Sequence, residues 1–281
     1  MHHNNLHNGS YDIDLLCKHY KKLETFVFTN KYGTKTIKFS NSKAVKALNT
    51  ALLVTYYNIL NWEFPDENLC PPIPSRVDYI HHLEDLIGQK QKVSVLDIGT
   101  GATCIYPLLG NSVYKWSFVG TDIDDLSLEI ASEIIKKNKL ESFINLRLQK
   151  DKNQILKGII KEGDFFDAVM CNPPFYKTEE EAIEANSRKQ RNLKISSNER
   201  NFSGNSNELW YVGGEKAFLH NYLYESSLFK EQCTWFTSLV SKKENVKSMY
   251  KSLKKLKVKT IKTIEMSQGN KITRIVAWRF S

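Results

Sequence analysis

The sequence predicts a doubly wound α/β domain on a seven-stranded, mostly parallel sheet, and three observations carry that prediction. Short apolar runs alternate with segments of helical spacing from about residue 93 onward. Two of those runs end in loop chemistry: 93–98 breaks into Gly99-Thr100-Gly101, and 165–171 stops at Asn172-Pro173-Pro174-Phe175. The last two runs, 258–266 and 273–280, are joined by a short polar link and read as a terminal hairpin. Strands that alternate with helices build a parallel sheet whose ligands lie beyond the carboxyl ends of the strands.

Taken in order, residues 1–10 are polar and read as disordered. Asp12 to Glu24 has helical spacing, and Lys35 to Phe39 reads as a short strand. Ser42 is the expected cap of a helix to about Leu60, with Ala44, Ala47, Leu48, Ala51 and Leu52 on one face. Pro65, Pro71, Pro72 and Pro74 mark a connector to a helix over Tyr79–Ile87. Residues 1–90 are thus an N-terminal helical accessory region, expected to bind a polyanion such as RNA, and 91–281 the main domain. Its further strands are expected at 117–122, 143–149, 166–171 and 234–240, and its helices at 102–110, 125–138, 153–161, 214–230 and 245–257. The segment 176–212 has no clear period; loops of that length are functional or unstructured, and this one is expected to order over substrate.

Composition excludes several classes. No run reaches the roughly 20 apolar residues of a membrane span, and no signal-peptide pattern opens the chain. The five cysteines are scattered without a Cys-x-x-Cys pair and the seven histidines show no ligand spacing, so no metal site is expected. A reducing intracellular setting follows. The net charge of +9 is concentrated in two places. Arg188, Lys189, Arg191, Lys194 and Arg200 form one cluster, and Lys242, Lys243, Lys247, Lys251, Lys254, Lys255, Lys257, Lys259 and Lys262 form the other. Both suit a polyanion such as RNA.

The Asn172-Pro173-Pro174-Phe175 corner points to amine chemistry. Neither proline carries an N–H, so nearby carbonyls are left without strand partners. The Asn172 side-chain oxygen and the Pro173 carbonyl can accept both hydrogens of a planar NH2 group, while Phe175 offers a face for the attached ring. The glycine turn lacks the third glycine of a dinucleotide fingerprint, its place being taken by Cys104. Asp122 closes the next strand, where an acid can accept ribose hydroxyls. Strand-Gly-x-Gly, strand-Asp and strand-Asn-Pro-Pro-Phe, in that order, fit S-adenosylmethionine better than NAD, and seven strands with this order are the pattern of class I (Rossmann-like) methyltransferases. From the residues alone, adenine, guanine-N2 and protein glutamine-N5 amines all remain open as targets, as does an inactive RNA-binding module.

The run from Leu96 through Gly99-Thr100-Gly101-Ala102-Thr103-Cys104-Ile105-Tyr106-Pro107 to Gly110 is similar to the glycine motif of the methyltransferase-like protein 16 and ribosomal RNA large-subunit adenine methyltransferase F family. The stretch 74–87, the corner 170–175, Asn186-Ser187-Arg188, Gly213-Gly214-Glu215 and Ser267-Gln268-Gly269 match it as well. The resemblance implies S-adenosylmethionine-dependent N6-methylation of adenosine in a structured RNA. For a eukaryotic-type member it implies U6 small nuclear RNA or a similar stem-loop, and a nuclear location. It further implies that Arg76 holds the methionine carboxylate and that Asp97, Gly99, Gly101, Thr103, Asp122, Gln154 and Asn172 contact the cofactor. Asn172, Pro173, Pro174 and Phe175 would be catalytic, and Arg188, Lys189, Arg191, Lys242, Lys243, Lys271 and Arg274 would touch RNA.

Overall fold

In the computed structural model β6 (Phe166–Cys171) is buried along its whole length, between two parallel neighbours, β3 (Ser94–Ile98) and β7 (Cys233–Val240). Outside β3 lie β4 (Ser117–Asp122) and then β5 (Ile144–Leu148), both parallel to it. Outside β7 lie β9 (Lys271–Arg279) and then β8 (Thr260–Gln268), which pair antiparallel as the expected hairpin. The order β5-β4-β3-β6-β7-β9-β8 reverses direction between β3 and β6, where such sheets bind ligands. The structure describes residues 1–178, 180–181, 184, 210–268 and 271–281, with backbone alone at 267, 268, 271 and 272. Most of the expected 176–212 loop, with Arg188, Lys189 and Arg191, lies outside the described residues.

Side chains alternate across the sheet with the period of two that a strand imposes. Val95, Ala168 and Met170 face a cluster built with α3 (Ile73–Ile87), α4 (Ile105–Tyr114) and α5 (Asp125–Lys137). Leu96, Val169 and Cys171 face the opposite cluster, built with α6 (Gly214–Leu228) and α7 (Lys243–Lys255). The accessory elements are α1 (Ile13–His19), a 3-10 turn over Lys21–Phe26, a ribbon of β1 (Val27–Thr29) with β2 (Lys35–Ile37), and α2 (Ser42–Tyr57). Their buried residues join the first cluster, and Tyr79 of α3 reaches the sheet itself, its hydroxyl 2.8 Å from Thr237 Oγ1 of β7.

Four local expectations change. The cap of α2 is Asn41, whose side chain accepts the Ala44 N–H at 3.1 Å, and not Ser42. Helix α3 starts at Ile73, six residues earlier than Tyr79, because Pro74 sits in its first turn, where a missing N–H costs nothing. Helix α4 starts at Ile105 because Gly101 (φ 62°) and Cys104 (φ 48°) are left-handed just before it. Residues 153–161 form turns rather than a helix: Gly158 (φ 79°) interrupts them, and a distant carboxylate takes their N–H groups.

The largest departure is the N-terminus. Residues 1–10 are not a loose leader: His2, Asn5 and His7 are buried against α3 and α2. The His2 and Asn5 N–H groups both donate to Asp78 Oδ1, at 2.7 and 2.9 Å, and Asn5 also donates to the Pro74 carbonyl. His7 Nε2 lies 2.8 Å from the Tyr57 hydroxyl. Polar residues without periodicity can be buried when each finds a partner, which pattern reading does not detect. His2, His82 and Asp85 bring one ligating atom each within 4.8 Å of one another. However, His2 Nδ1 accepts the Asn4 N–H at 3.1 Å, which leaves the ring proton on Nε2 to donate to Asp85 at 3.0 Å. A cation on Nε2 would move that proton to Nδ1 and set two donors face to face, so the cluster reads as a hydrogen-bonded clasp.

The buried histidines His7 and His81 make the fold acid-sensitive. Burial lowers His7 to about 4, helped by His81, and burial lowers His81 to about 4, helped by His2. A histidine kept neutral in the fold but titrating near 6.5 when unfolded contributes fully above that value, and its contribution is lost as pH falls toward 4. Urea midpoints should be level above about pH 7 and decline steadily from about 6.5 to 4. The decline should be shallower in His7→Asn. A wild-type midpoint that stays level across that window contradicts the assignment.

Candidate functional site: a cleft at the strand switch point

The glycine turn after β3 is fastened to the end of β4. Gly99 and Thr100 both donate to the Thr121 carbonyl, at 2.8 and 2.9 Å, and Gly101 donates to Asp122 Oδ2 at 2.9 Å. Gly99 (φ 73°) and Gly101 (φ 62°) occupy the left-handed region that glycine enters without strain. Asp122 Oδ1 accepts the N–H groups of Ile123 and Asp124 at 2.8 and 3.1 Å. Burial raises the Asp122 pKa and these three N–H groups oppose the rise. Oδ2 carries one bond from a backbone N–H, so it retains a lone pair for a ligand hydroxyl.

Around this turn opens a cleft of about 860 Å³. Gly99, Gly101 and Asp122 line one side, and Asn172 and Pro174 line another. Lys152 and Gln154 approach from the loop after β5, and Trp210 and Tyr211 from the chain before α6. Ile123, Ile155 and Phe218 supply apolar surface of the kind that holds a flat heterocycle. Phe175 stands at the rim, 37% exposed. Among the described residues nothing is hydrogen-bonded to the Asn172 side chain, so its acceptor oxygen is unengaged.

Two residues before Gly99, Asp97 is completely buried, and neither oxygen makes a well-formed hydrogen bond among the described residues. Burial pushes it up to about 7, with the nearby Thr100 side chain and, more weakly, the Arg76 cation opposing. Arg76, from the first turn of α3, lies 5.5 Å above the Tyr106 ring, and among the described residues the buried Tyr106 hydroxyl also makes no well-formed hydrogen bond. Unpaired buried polar atoms each cost about 1–3 kcal/mol, so a cluster of them implies a ligand. A carboxylate beside a guanidinium and a hydroxyl suits an amino-acid head, whose ammonium and carboxylate would meet Asp97 and Arg76 respectively. With Asp122 for ribose hydroxyls and the apolar wall for a purine, the residues present fit S-adenosylmethionine.

The structure does not bring every expected residue into the cleft: Arg76 and Asp97 lie behind its lining, Asp97 completely buried. Thr103 is buried elsewhere: its carbonyl accepts the Trp62 indole N–H at 2.9 Å and so staples the accessory connector to the glycine turn. Lys242 and Lys243 are exposed where the chain leaves β7, on the same edge as Asn172 because β7 and β6 are parallel. Lys271 begins β9 near that edge, and Arg274 pairs with Val240 in the sheet. The Arg274 guanidinium lies 3.4 Å from Glu265, its cross-strand neighbour, with a side chain only 15% exposed. Tyr106 and Glu215 lie inside matched motifs but the motifs gave them no role, and no motif contained Trp210, Tyr211 or Glu225, the second of two carboxylates that hold the neighbouring loops.

Those carboxylates are Glu215 and Glu225 of α6. Glu215 accepts the Ser241 N–H at 2.7 Å and the Asn245 amide at 2.5 Å, supplying the start of α7 with the cap that Lys242 cannot. Glu225, 2% exposed, accepts the N–H groups of Ile155, Leu156 and Lys157 at 2.6–3.1 Å. Asn221, one turn earlier, donates to the Asn153 carbonyl at 2.8 Å and to the Tyr211 hydroxyl at 3.2 Å. Helix α6 thereby fixes the loop that carries Lys152 and Gln154.

Glu225→Ala should strand three buried N–H groups and lower stability by about 1–3 kcal/mol for each left unpaired. Amide exchange at 155–157 should accelerate well beyond that of β6. A urea midpoint within error of wild type, with slow exchange at 155–157, contradicts this role.

Comparison with known proteins supplies the family. A family described as RNA methyltransferase matches residues 1–281. Ribosomal RNA large subunit methyltransferase F of Christiangramia forsetii is 48% identical over the full length of both chains. The protein of that name from Bacteroides thetaiotaomicron is 46% identical, covering all of this chain and 97% of its own. The human METTL16 catalytic domain, solved with a MAT2A 3′UTR hairpin, superposes with a TM-score of 0.87 at 30% identity, covering all of this chain and 96% of that one. The N-terminal domain of human METTL16, solved with S-adenosylhomocysteine, gives a TM-score of 0.81 at 28% identity, covering all of this chain and 99% of that one. S-adenosylhomocysteine is what remains when S-adenosylmethionine gives up its methyl group, in agreement with the fit of the cleft. The chain belongs to this S-adenosylmethionine-dependent RNA methyltransferase family.

Proposed function

We propose that the chain methylates the N6 amine of an adenosine in a structured RNA, with large-subunit ribosomal RNA as its substrate class. The observation that carries this reading is the Asn172-Pro173-Pro174-Phe175 corner, whose Asn172 and Pro174 share one cleft with Gly101 and Asp122, the Asn172 acceptor being unengaged among the described residues. When bound, S-adenosylmethionine supplies an electrophilic methyl group on a sulfonium. Asn172 and the Pro173 carbonyl accept the two amine hydrogens and draw the nitrogen lone pair out of conjugation. Phe175 stacks on the extruded base, which must leave its helix to reach the corner. Asp97 and Arg76 anchor the amino-acid head, and Asp122 the ribose. Nitrogen gains the methyl, sulfur keeps the electron pair of the broken bond, and the amine proton leaves to water, so no dedicated base is needed.

The choice of RNA rests on relatedness. Proteins named for the large ribosomal subunit share 45–49% of residues with this chain, against 26–30% for the human structures. A U6 small nuclear RNA target with a nuclear location is the second reading, favoured by the likeness to human proteins solved with RNA hairpins. Lys242, Lys243 and Lys271 stand on the cleft edge, where the phosphates of either RNA would pass.

Asn172→Ala should cut label transfer from S-adenosylmethionine to unmethylated large-subunit ribosomal RNA by about 100-fold or more, the usual cost of losing one preorganised group at a reacting centre. Cofactor affinity by calorimetry should change little. Transfer within a few-fold of wild type would remove the corner from the reaction.

A further inference from the structure

Trp210 lines the cleft and has an indole N–H that is sealed from water and makes no hydrogen bond among the described residues. Two other buried indoles differ: Trp62 donates to the Thr103 carbonyl at 2.9 Å, and Trp278 to the Ser226 hydroxyl at 3.0 Å. A buried donor left idle is destabilising until something completes it. The fold nonetheless holds Trp210 firmly. Its backbone forms a parallel bridge with Tyr176, the residue after Phe175, and the Tyr211 N–H donates to the Tyr176 carbonyl at 3.0 Å. Tyr211 is fastened to α6 in turn: its hydroxyl accepts the Asn221 amide at 3.2 Å, and its ring meets Phe218 edge-on at 5.3 Å. The chain before α6 is thereby zipped to the Asn172 corner.

Its attachment puts this donor on the substrate side. Asp122 and Ile123, at the end of β4, line the part of the cleft that suits the cofactor, and β4 lies two strand spacings, about 10 Å, from β6. Trp210 is tied to the β6 end, where Asn172 and Pro174 stand. The corner alone accepts any planar amine, so it treats adenine and guanine alike. A fixed donor beside it separates them. An indole nitrogen donates and cannot accept. Adenine carries a bare ring nitrogen, N1, next to its 6-amine, on the Watson–Crick edge by which extruded bases are read. Guanine offered through its 2-amine has an N1–H on that edge, and two N–H groups would then face each other.

We propose that the Trp210 indole N–H donates to N1 of the target adenine and so makes the corner choose adenine over guanine; this rests on the adenine-N6 transfer proposed above. The test pairs Trp210→Phe, which keeps an aromatic ring and removes the N–H, with a synthetic RNA spanning the methylated position. That RNA carries adenosine there, or 1-deazaadenosine, in which C–H replaces N1. The analogue should lower kcat/KM in wild type by about 2- to 12-fold more than in Trp210→Phe, the worth of one hydrogen bond. On adenosine the variant should lose activity by a similar factor, while its S-adenosylmethionine affinity by calorimetry stays at wild type. An analogue penalty equal in wild type and variant overturns the proposal. So does a loss of cofactor affinity in the variant, which would give the N–H to the cofactor's adenine. If the variant does not fold, wild type decides alone: RNA with 1-deazaadenosine should bind more weakly than RNA with 7-deazaadenosine, and equal binding overturns the proposal. Transfer to guanosine, or to no nucleoside, in wild type overturns the function proposed above; adenosine transfer with equal penalties overturns this inference alone.

Discussion

The bond from Gly101 to Asp122 is the constraint on which the site depends. It joins the turn after β3 to the end of β4, and with the two bonds to the Thr121 carbonyl it holds three successive N–H groups on one neighbouring strand. Without that fastening a turn with two left-handed glycines would sample many conformations. With it, the floor of the cleft is rigid and Asn172 stands opposite at a fixed place, because β6 is hydrogen-bonded to β3 along its length.

Rigid walls allow the site to keep groups that a core would not otherwise tolerate. Asp97, Tyr106 and Trp210 each hold a buried polar atom without a partner among the described residues. Packing elsewhere must offset their cost, and the doubly covered sheet supplies it: β6 buries every side chain, Trp278 stacks on Phe236, and Tyr222 of α6 meets Trp278 edge-on. Destabilised groups at the cleft and a surplus of apolar burial behind it are two halves of one arrangement.

Legibility in the sequence followed contiguity. The β6 run and its Asn172 corner, the glycine turn and Asp122 are each readable because their residues are neighbours in the chain and their spacing is that of a strand ending in a loop. Seven strands and the terminal hairpin were readable for the same reason. Glu225 was not, because it serves amides 68–70 positions away. The buried N-terminus was not, because His2 and Asn5 are held by Asp78 rather than by apolar periodicity. The expected helix at 153–161 failed through the same long-range bond, since Glu225 takes the N–H groups that a helix would have used.

The account stands on the corner being an adenine-N6 transfer site acting on RNA. The most direct measurement is to incubate the protein with unmethylated large-subunit ribosomal RNA and isotopically labelled S-adenosylmethionine, digest the RNA to nucleosides, and identify the labelled one by mass spectrometry. Label in N6-methyladenosine, at one site, is the predicted result. Label in N2-methylguanosine, or in protein glutamine with none in RNA, would contradict it.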